Sequence, residues 1–537
     1  MRKLNDKIVL YEDMGYIAVL ASTSQELATL SSIPGASASG SEAPSCVLLP
    51  WCDDVCRILN NMGYDVLLAT PFLYSAHPKV EGKYQSMVHQ MLTAAFVCLN
   101  PRCYVLSDPR TGKTGSLILA MNYLKQQGLV RGGFLIATTV TTMQSVWYDG
   151  IKATVPGAKL LIAHQKTRVS ALKERADYYI TNYDSVRLST DEFQDAVKRG
   201  FIGACVIDEL THLGNASSQR FKAFDKVLNK TNVNYVVGLT GSPGSNAEAI
   251  YGMCSMVNRK NLGYRSKSAW LSRVTYQYGS EPYMKKNTSD APEVFHRAMQ
   301  PAIRFAKKDI LDLPPVVTQN RMCSLSAEQK RIRESFVAEA QALTESGQRI
   351  TAANGGVVLQ KLLQTALGFC NSNEGKPVEL EHTSRTQTIL EIIGETERKV
   401  VIFSCFKKSM AMRLKEIRDA GYSAELISGD VNSSDRAKIL HDFQYEDAPH
   451  VLIAHPQTVS YGVELSRSDT MIFDGPPMLG GFVYTQALER LSSAKQTASK
   501  VSVIRVMASP EERKGFTMLD EGKSFGDSVA ALFENIA

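Results

Sequence analysis

Cys103-Tyr-Val-Leu-Ser107-Asp-Pro-Arg-Thr111-Gly112-Lys113-Thr114 reads as a buried apolar strand that runs into a phosphate-cradling loop and then opens a helix. Gly112 lets backbone N–H groups close around phosphates, the Lys113 ammonium reaches the outer phosphates as a point charge, and the Thr114 hydroxyl is a ligand for Mg²⁺. The helix expected over 115–124 adds the positive end of its dipole. The usual loop of this kind opens with glycine, and Ser107 stands in that place. Thr111, Gly112, Lys113 and Thr114 are therefore the candidate nucleotide-binding residues, with ATP and Mg²⁺ as the implied cofactors.

Around this loop, short apolar runs alternate with helix-like stretches. Runs at 103–106, 134–138, 178–181, 204–207 and 235–239 are predicted as strands of a parallel sheet covered on both faces. The rhythm returns at 400–403, 424–427, 451–454, 470–473 and 501–506, so the chain is expected to hold two α/β lobes, assigned to 78–255 and 396–537. Between them, 256–395 reads as a helical linker or insertion, because 327–346 and 357–368 have helical periodicity and strong helix formers. Residues 1–77 form a small α+β module, with strands at 8–10 and 17–20, a helix at 25–30, a Ser/Ala/Gly-rich loop at 31–45 and a second apolar run and helix at 47–62. The part of that loop over 37–45 is expected to be a flexible hairpin tip.

Bulk composition narrows the class without naming it. Lys and Arg number 60 against 54 Asp and Glu, a net +6 that permits a polyanionic partner without demanding one. Ten scattered cysteines with no Cys-x-x-Cys pair suit a reduced, intracellular protein, and no apolar run is long enough to span a membrane.

The second chemical signal lies at the end of the run 204–207. It leads straight into Asp208-Glu209-Leu-Thr211-His212, placing two carboxylates at the carboxyl end of a buried strand, where parallel sheets put their sites. Asp208 is read as the residue that holds the metal through water, and Glu209 as the one that orients and activates the attacking water. The strand at 235–239 then ends in the small polar turn Thr240-Gly-Ser-Pro243.

The order of these motifs resembles the superfamily-two helicases, specifically the SWI/SNF-like ATPases and their phage-encoded relatives. Gln85, upstream of the loop, resembles the adenine-reading glutamine of that family. The stretch from Ala137-Thr-Thr139 to Trp147, and Ile180-Thr-Asn-Tyr183, resemble segments that touch a nucleic-acid strand, and Thr240-Gly-Ser-Pro243 resembles the motif coupling hydrolysis to lobe movement. Arg304-Phe-Ala-Lys-Lys308-Asp-Ile-Leu-Asp-Leu313-Pro314 matches the family's basic segment before a leucine-proline turn. In the second lobe the pattern continues through Lys399–Ser404, Gly429-Asp430, Ser460-Tyr-Gly-Val-Glu464 and Gln486-Ala-Leu-Glu-Arg490. The resemblance implies two RecA-like lobes. It also implies that Glu464 lies near the nucleotide and that Gln486 and Arg490 meet the γ-phosphate, where an arginine would stabilise charge spreading over the phosphoryl oxygens. Thr139, Tyr183 and Gln457 are the implied nucleic-acid contacts.

The amino-terminal module, through Glu26–Ala36, Leu48-Leu-Pro50-Trp51 and Leu59–Tyr64, resembles the accessory domain of annealing helicases, which helps to recognise branched DNA. A generic cap that stabilises the first lobe is the alternative. Together these features imply a DNA-stimulated ATPase that remodels duplex or branched DNA, binds largely without regard to sequence, works beside replication or recombination proteins, and resides in bacterial or phage-infected cytoplasm. No residue distinguishes RNA from DNA. One departure favours another class: where the family has a second arginine, this chain has Ser493, so a nucleotide-binding clamp or scaffold with decayed turnover is the competing reading. The place of the family's histidine in the acidic motif holds Thr211, beside His212, as in phage-like members.

Overall fold

Along each central strand of the computed structural model, successive apolar side chains enter opposite cores, as a sheet buried on both faces requires. Leu135, Tyr179, Cys205 and Val236 enter one core of the first lobe, while Phe134, Ile136, Val206 and Val237 enter the other. The structure describes residues 1–521 apart from 79–85, 232, 242, 245, 260–262, 265, 278–284, 311–313, 346–351, 372–375, 459–464, 478–480, 489 and 492–495, with the backbone alone at 339–345, 352–355, 433, 481, 482 and 486. The chain folds as two units, Met1–Ile310 and Leu311–Ala537, and residues of the expected 256–395 linker occur in both.

The first unit begins with an antiparallel sheet of β1 (Arg2–Lys3), β2 (Ile8–Tyr11), β3 (Tyr16–Ala21), β4 (Ser37–Ala38) and β5 (Ser45–Pro50), in the order β1-β2-β3-β5-β4. Helices Ser24–Ser31 and Asp53–Asn61 pack on it through Leu27, Leu30, Val55 and Leu59. Thr23 caps the first of these by accepting the Glu26 N–H at 3.1 Å. The loop read as a hairpin tip is shorter than expected, since its ends pair as β4 and β5.

The first RecA-like lobe follows. Its strands are β6 (Arg102–Val105), β7 (Gly133–Thr138), β8 (Leu160–Ile162), β9 (Tyr178–Asn182), β10 (Ile202–Asp208) and β11 (Tyr235–Leu239). After a hairpin of β12 (Thr275–Gln277) and β13 (Lys285–Asn287), β14 (Ala302–Ile303) joins them, giving a parallel sheet in the order β14-β6-β11-β10-β7-β9-β8.

The second unit holds the other parallel sheet: β15 (Val316–Met322), then, beyond a hairpin of β16 (Phe369–Asn371) and β17 (Pro377–Glu379), β18 (Lys399–Phe403), β19 (Ala424–Ile427), β20 (Val451–Ala454), β21 (Ser468–Asp474) and β22 (Val501–Met507). The order is β15-β22-β21-β18-β20-β19. Here too neighbours part: Val401, Leu452, Met471 and Val503 face one core, Val400, Ile453, Ile472 and Ile504 the other. Strands β12 to β17 lie in the region read from sequence as a helical linker or insertion, and of these β14 and β15 extend the two parallel sheets. β14 is too short to carry a pattern, and β15 is an edge strand that is almost wholly exposed, so neither has the apolar signature of a buried strand.

A buried charge network closes β21. Asp474 accepts a bond from Arg385 Nη1 at 3.0 Å and one from the Ser409 hydroxyl at 2.8 Å, and Arg413 Nε lies 3.3 Å from it. Arg385 also binds Glu512 at 2.6 Å, and Arg413 binds Glu416 at 2.5 Å. Burial alone pushes the Asp474 carboxyl up, but Arg413 and Arg385 outweigh it and hold the group below the usual carboxylate range.

Candidate active site

Strand register assembles the first half of the site. Val105 of β6 pairs with Leu239 of β11, and Leu239 pairs with Asp208 of β10, so these residues form one row at the carboxyl edge of the sheet. With strands 4.7–4.9 Å apart, Asp208 stands about 10 Å across the sheet from the last residue of the strand that feeds the phosphate loop.

The loop itself is tightly curled. Arg110 and Gly112 have φ values of 65° and 79°. At Gly112 the left-handed turn favours glycine, and a Cβ there would displace the end of the Gln90 side chain, which lies 1.8 Å from where it would sit. The helix starts at Lys113 and runs to Gln126, two residues earlier than the sequence suggested, so the N–H groups of its first turn, which lack intrahelical acceptors, point from the loop. The Lys113 ammonium donates to the carbonyls of Ser107 at 2.7 Å and Asp108 at 3.0 Å, which keeps it at the loop's mouth. A Cβ on Gly241 would meet Pro109 at 2.6 Å, so the turn after β11 packs directly against the loop.

The basic segment near residue 304 also holds the loop. Extending the β14–β6 pairing, the N–H groups of Tyr104, Leu106 and Asp108 donate in turn to the carbonyls of Pro301, Ile303 and Phe305. The Ser107 hydroxyl accepts the Phe305 N–H at 3.0 Å, and Asp108 Oδ2 accepts the Lys307 N–H at 2.9 Å. The serine that replaces the usual glycine thus has a structural role, tying the loop to a segment almost two hundred residues away. Sequence reading registered Ser107 only as a departure.

Two side chains fix the metal-holding candidate. Asp208 Oδ2 accepts the Trp147 indole N–H at 2.9 Å and the Thr138 hydroxyl at 2.9 Å, and no described bond engages Oδ1. Trp147 is fully buried and lies in a π-helical turn, Met143–Tyr148, whose wider coil carries the indole under the end of β10. A buried indole needs an acceptor, and Asp208 supplies it. From Thr138 a chain of hydroxyls runs outward: Thr138 to Thr142 at 2.6 Å, then Thr142 to Thr139 at 2.9 Å. Thr139, a candidate nucleic-acid contact, is half-buried at the edge of the lobe and is connected through this chain to Asp208.

Glu209 follows in a left-handed conformation, φ 60° and ψ 61°, which a non-glycine residue adopts at a cost of about 1–3 kcal/mol. Tyr183 supports that bend. Its hydroxyl donates to the main-chain carbonyls of Asp208 and, at 3.2 Å, Glu209. Its ring is buried against His212, centroids 4.8 Å apart, and Phe224. Tyr183, read from its motif as a nucleic-acid contact, is 5% exposed, and its hydroxyl engages the backbone. Burial, with the nearby Asp208 and Glu209, holds the Tyr183 phenol well above its ordinary value and so protonated, while burial and Arg220 push the His212 imidazole down.

In the second unit, Gln457 is exposed in the short helical turn after β20, and Arg490 is buried just beyond helix Gly481–Leu488, which carries Gln486. Gln85, Glu464 and Ser493 lie outside the described residues, as does the Gln486 side chain.

The donor set suits a magnesium-bound triphosphate. Helix-start N–H groups and an ammonium match phosphate oxygens, and a hydroxyl with a carboxylate oxygen provides the hard oxygen ligands that Mg²⁺ takes. Parallel sheets, the first with a curled loop after one strand and an acidic pair in register two strands away, define a protein of two tandem RecA-like α/β lobes. More particularly, the chain belongs to the SNF2-related domain family, whose pattern matches residues 88–372, and residues 384–495 match the helicase conserved C-terminal domain. Among curated relatives, chromodomain-helicase-DNA-binding protein 1 of Homo sapiens is 21% identical over 70% of this chain and 23% of its own length. An uncharacterized ATP-dependent helicase of Mycoplasma pneumoniae is 23% identical over 74% of this chain and 37% of its own. The chain therefore spans well under half the length of these relatives. Among solved structures, the SWI2/SNF2 ATPase core of Sulfolobus solfataricus in complex with dsDNA aligns at 18% identity and a TM-score of 0.40, covering 83% of this chain and 92% of that one.

Proposed function

We propose that the chain is an ATP-driven DNA translocase of the SWI/SNF-like type that remodels duplex or branched DNA, by branch migration, fork regression or annealing, during replication, recombination or repair. The observation that supports it most is the row Val105–Leu239–Asp208, which brings the phosphate loop and the acidic pair to one edge of a rigid sheet.

In this reading Lys113 and the N–H groups of the first helical turn hold the phosphates, and Thr114 and Asp208 hold Mg²⁺, which supplies charge neutralisation at the transferring phosphoryl group. Trp147 and Thr138 lock the Asp208 rotamer so that Oδ1 stays available. Glu209 orients the attacking water and takes its proton, with Tyr183 fixing the strained backbone beneath it. Gln486 and Arg490 act on the γ-phosphate, Gln85 on the adenine, and Glu464 near the nucleotide. Thr139 and Gln457 touch a DNA strand. Such contacts to phosphates carry no base information, so binding is sequence-independent and weakens steeply with salt. The amino-terminal module reads branched DNA, and replication or recombination proteins in bacterial or phage-infected cytoplasm are the expected company.

Glu209→Gln tests the assignment. The variant should retain bound ATP in a filter or equilibrium-binding assay while hydrolysis falls by two or more orders of magnitude, roughly the scale of a lost general base. Normal turnover in Glu209→Gln would remove Glu209 from the chemistry.

A further inference from the structure

The amino-terminal edge of the first-lobe sheet, at the opposite end from the phosphate loop, carries a cleft of about 860 Å³. One wall is helix Asp53–Asn61 of the amino-terminal module. The others are the segments leading into β7, β10 and β11, which contribute Arg131, Lys198 at the end of helix Thr190–Lys198, and Lys230. With Arg57 these make four cations around the cleft, against one lining carboxylate, Asp54. Arg131, Lys198 and Lys230 are exposed and form no ion pair among the described residues, while Arg57 lies 3.6 Å from Asp54.

The floor is more selective than the rim. Arg57 donates through Nε to the Cys98 carbonyl at 3.0 Å, and its Nη2 is buried with no hydrogen-bond partner. Beside it, 5.5 Å from the guanidinium, lies the ring of Tyr235, only 6% exposed, whose buried hydroxyl interacts with the Arg57 side chain. Burial pushes the Tyr235 phenol up to about 12, so it remains a donor at neutral pH. Four cations against a single carboxylate give the cleft a positive field that favours an anion.

We propose that this cleft is a second nucleic-acid site, which takes the phosphodiester backbone of a strand between the amino-terminal module and the first lobe. A strand suits it better than a lone anion because the unpaired cations come from three separate segments, spread around the cleft rather than converging on one point, and a chain of phosphates meets each in turn. The inference rests on the chain being a nucleic-acid-binding protein and is independent of its turnover. It gives the amino-terminal module a physical part in handling DNA: a strand that leaves the carboxyl edge of the lobe can be held at the other edge.

The test is DNA binding by the full chain, with Arg131→Gln, Lys198→Gln and Lys230→Gln combined in one variant. These are surface changes remote from the phosphate loop, so DNA-free ATP turnover should be unchanged. Plots of log affinity against log salt should be shallower by about 2.7 on duplex DNA, or about 2 on single strands, for three lost phosphate contacts. Hydrogen exchange should place the contact: DNA should protect amides in 128–133 and 198–203 in addition to those near Thr139. An unchanged slope, or protection near Thr139 alone, would overturn this site while leaving the proposed function standing. Protection of the two segments by inorganic phosphate but not by DNA would show a small-anion pocket and equally overturn it.

Discussion

Asp474→Ala should be among the most damaging single substitutions in the second unit, although nothing in the proposed chemistry involves it. The carboxylate is fully buried and serves Arg385 Nη1 at 3.0 Å, Ser409 at 2.8 Å and the Arg413 guanidinium at 3.3 Å. Removing it leaves the Ser409 hydroxyl without its acceptor, Arg385 Nη1 with only the Val506 carbonyl at 3.5 Å, and two arginines short of one charge. Glu512 and Glu416 still partner those arginines at 2.6 and 2.5 Å, so neither becomes an isolated ion. Breaking a buried pair on one side costs about 3–5 kcal/mol, and the surviving partners put the expected loss near 3 kcal/mol. Asp474→Asn keeps the shape and one acceptor, so it should lose roughly half as much, in line with a charged hydrogen bond worth about 1.5–3 kcal/mol against a neutral one near 1. Hydrogen exchange on the full chain reads this locally, because about 1.4 kcal/mol is a factor of ten in opening. Amides of β18, β21 and β22 should exchange roughly a hundredfold faster in Asp474→Ala, and those of β6, β7 and β10 should not change. Exchange within threefold of wild type in the second-lobe strands would show that the network is dispensable.

Other consequences reach the site more directly. Trp147→Phe removes one of two donors to Asp208 Oδ2, so turnover should drop about tenfold and need more Mg²⁺ for half-saturation; an unchanged Mg²⁺ dependence would deny the indole its positioning role. His382 is raised by its bond to Glu416, against burial and Arg413. The stability it contributes is therefore complete below the unfolded value near 6.5 and lost as pH rises through the higher folded value, so the unfolding midpoint should fall between about pH 6 and pH 8 in wild type and less in His382→Gln. Ser493→Arg should raise ATP turnover if the place of the second arginine limits the rate, while unchanged turnover would leave charge stabilisation at the γ-phosphate to Arg490 and its neighbours.

The parts legible in sequence were those where one requirement decides the residue. Strands β6, β7, β9, β10 and β11 are apolar through their central positions because both faces are buried there, and the glycine at 112 is favoured by a positive φ. Asp208 and Glu209 followed from their place at a strand's end. What stayed hidden depends on partners distant in the chain. Nothing near Ser107 shows that its hydroxyl meets Phe305, nothing near Trp147 shows that its indole meets Asp208, and β15 reads as polar because it lies at an exposed sheet edge. The motif position of Tyr183 likewise gave no sign that its ring packs on Phe224 and that its hydroxyl braces the backbone at Asp208. The basic cleft was equally unreadable, because Arg57, Arg131, Lys198 and Lys230 come from four separate segments that only the fold brings together.

The most direct test of the account is steady-state ATP hydrolysis by the full chain with and without duplex, single-stranded and branched DNA, beside Lys113→Ala. The proposed motor predicts turnover that DNA stimulates, most strongly in branched form, and that Lys113→Ala abolishes. ATP and DNA binding without turnover, or hydrolysis indifferent to DNA, would contradict it and favour a nucleotide-bound clamp.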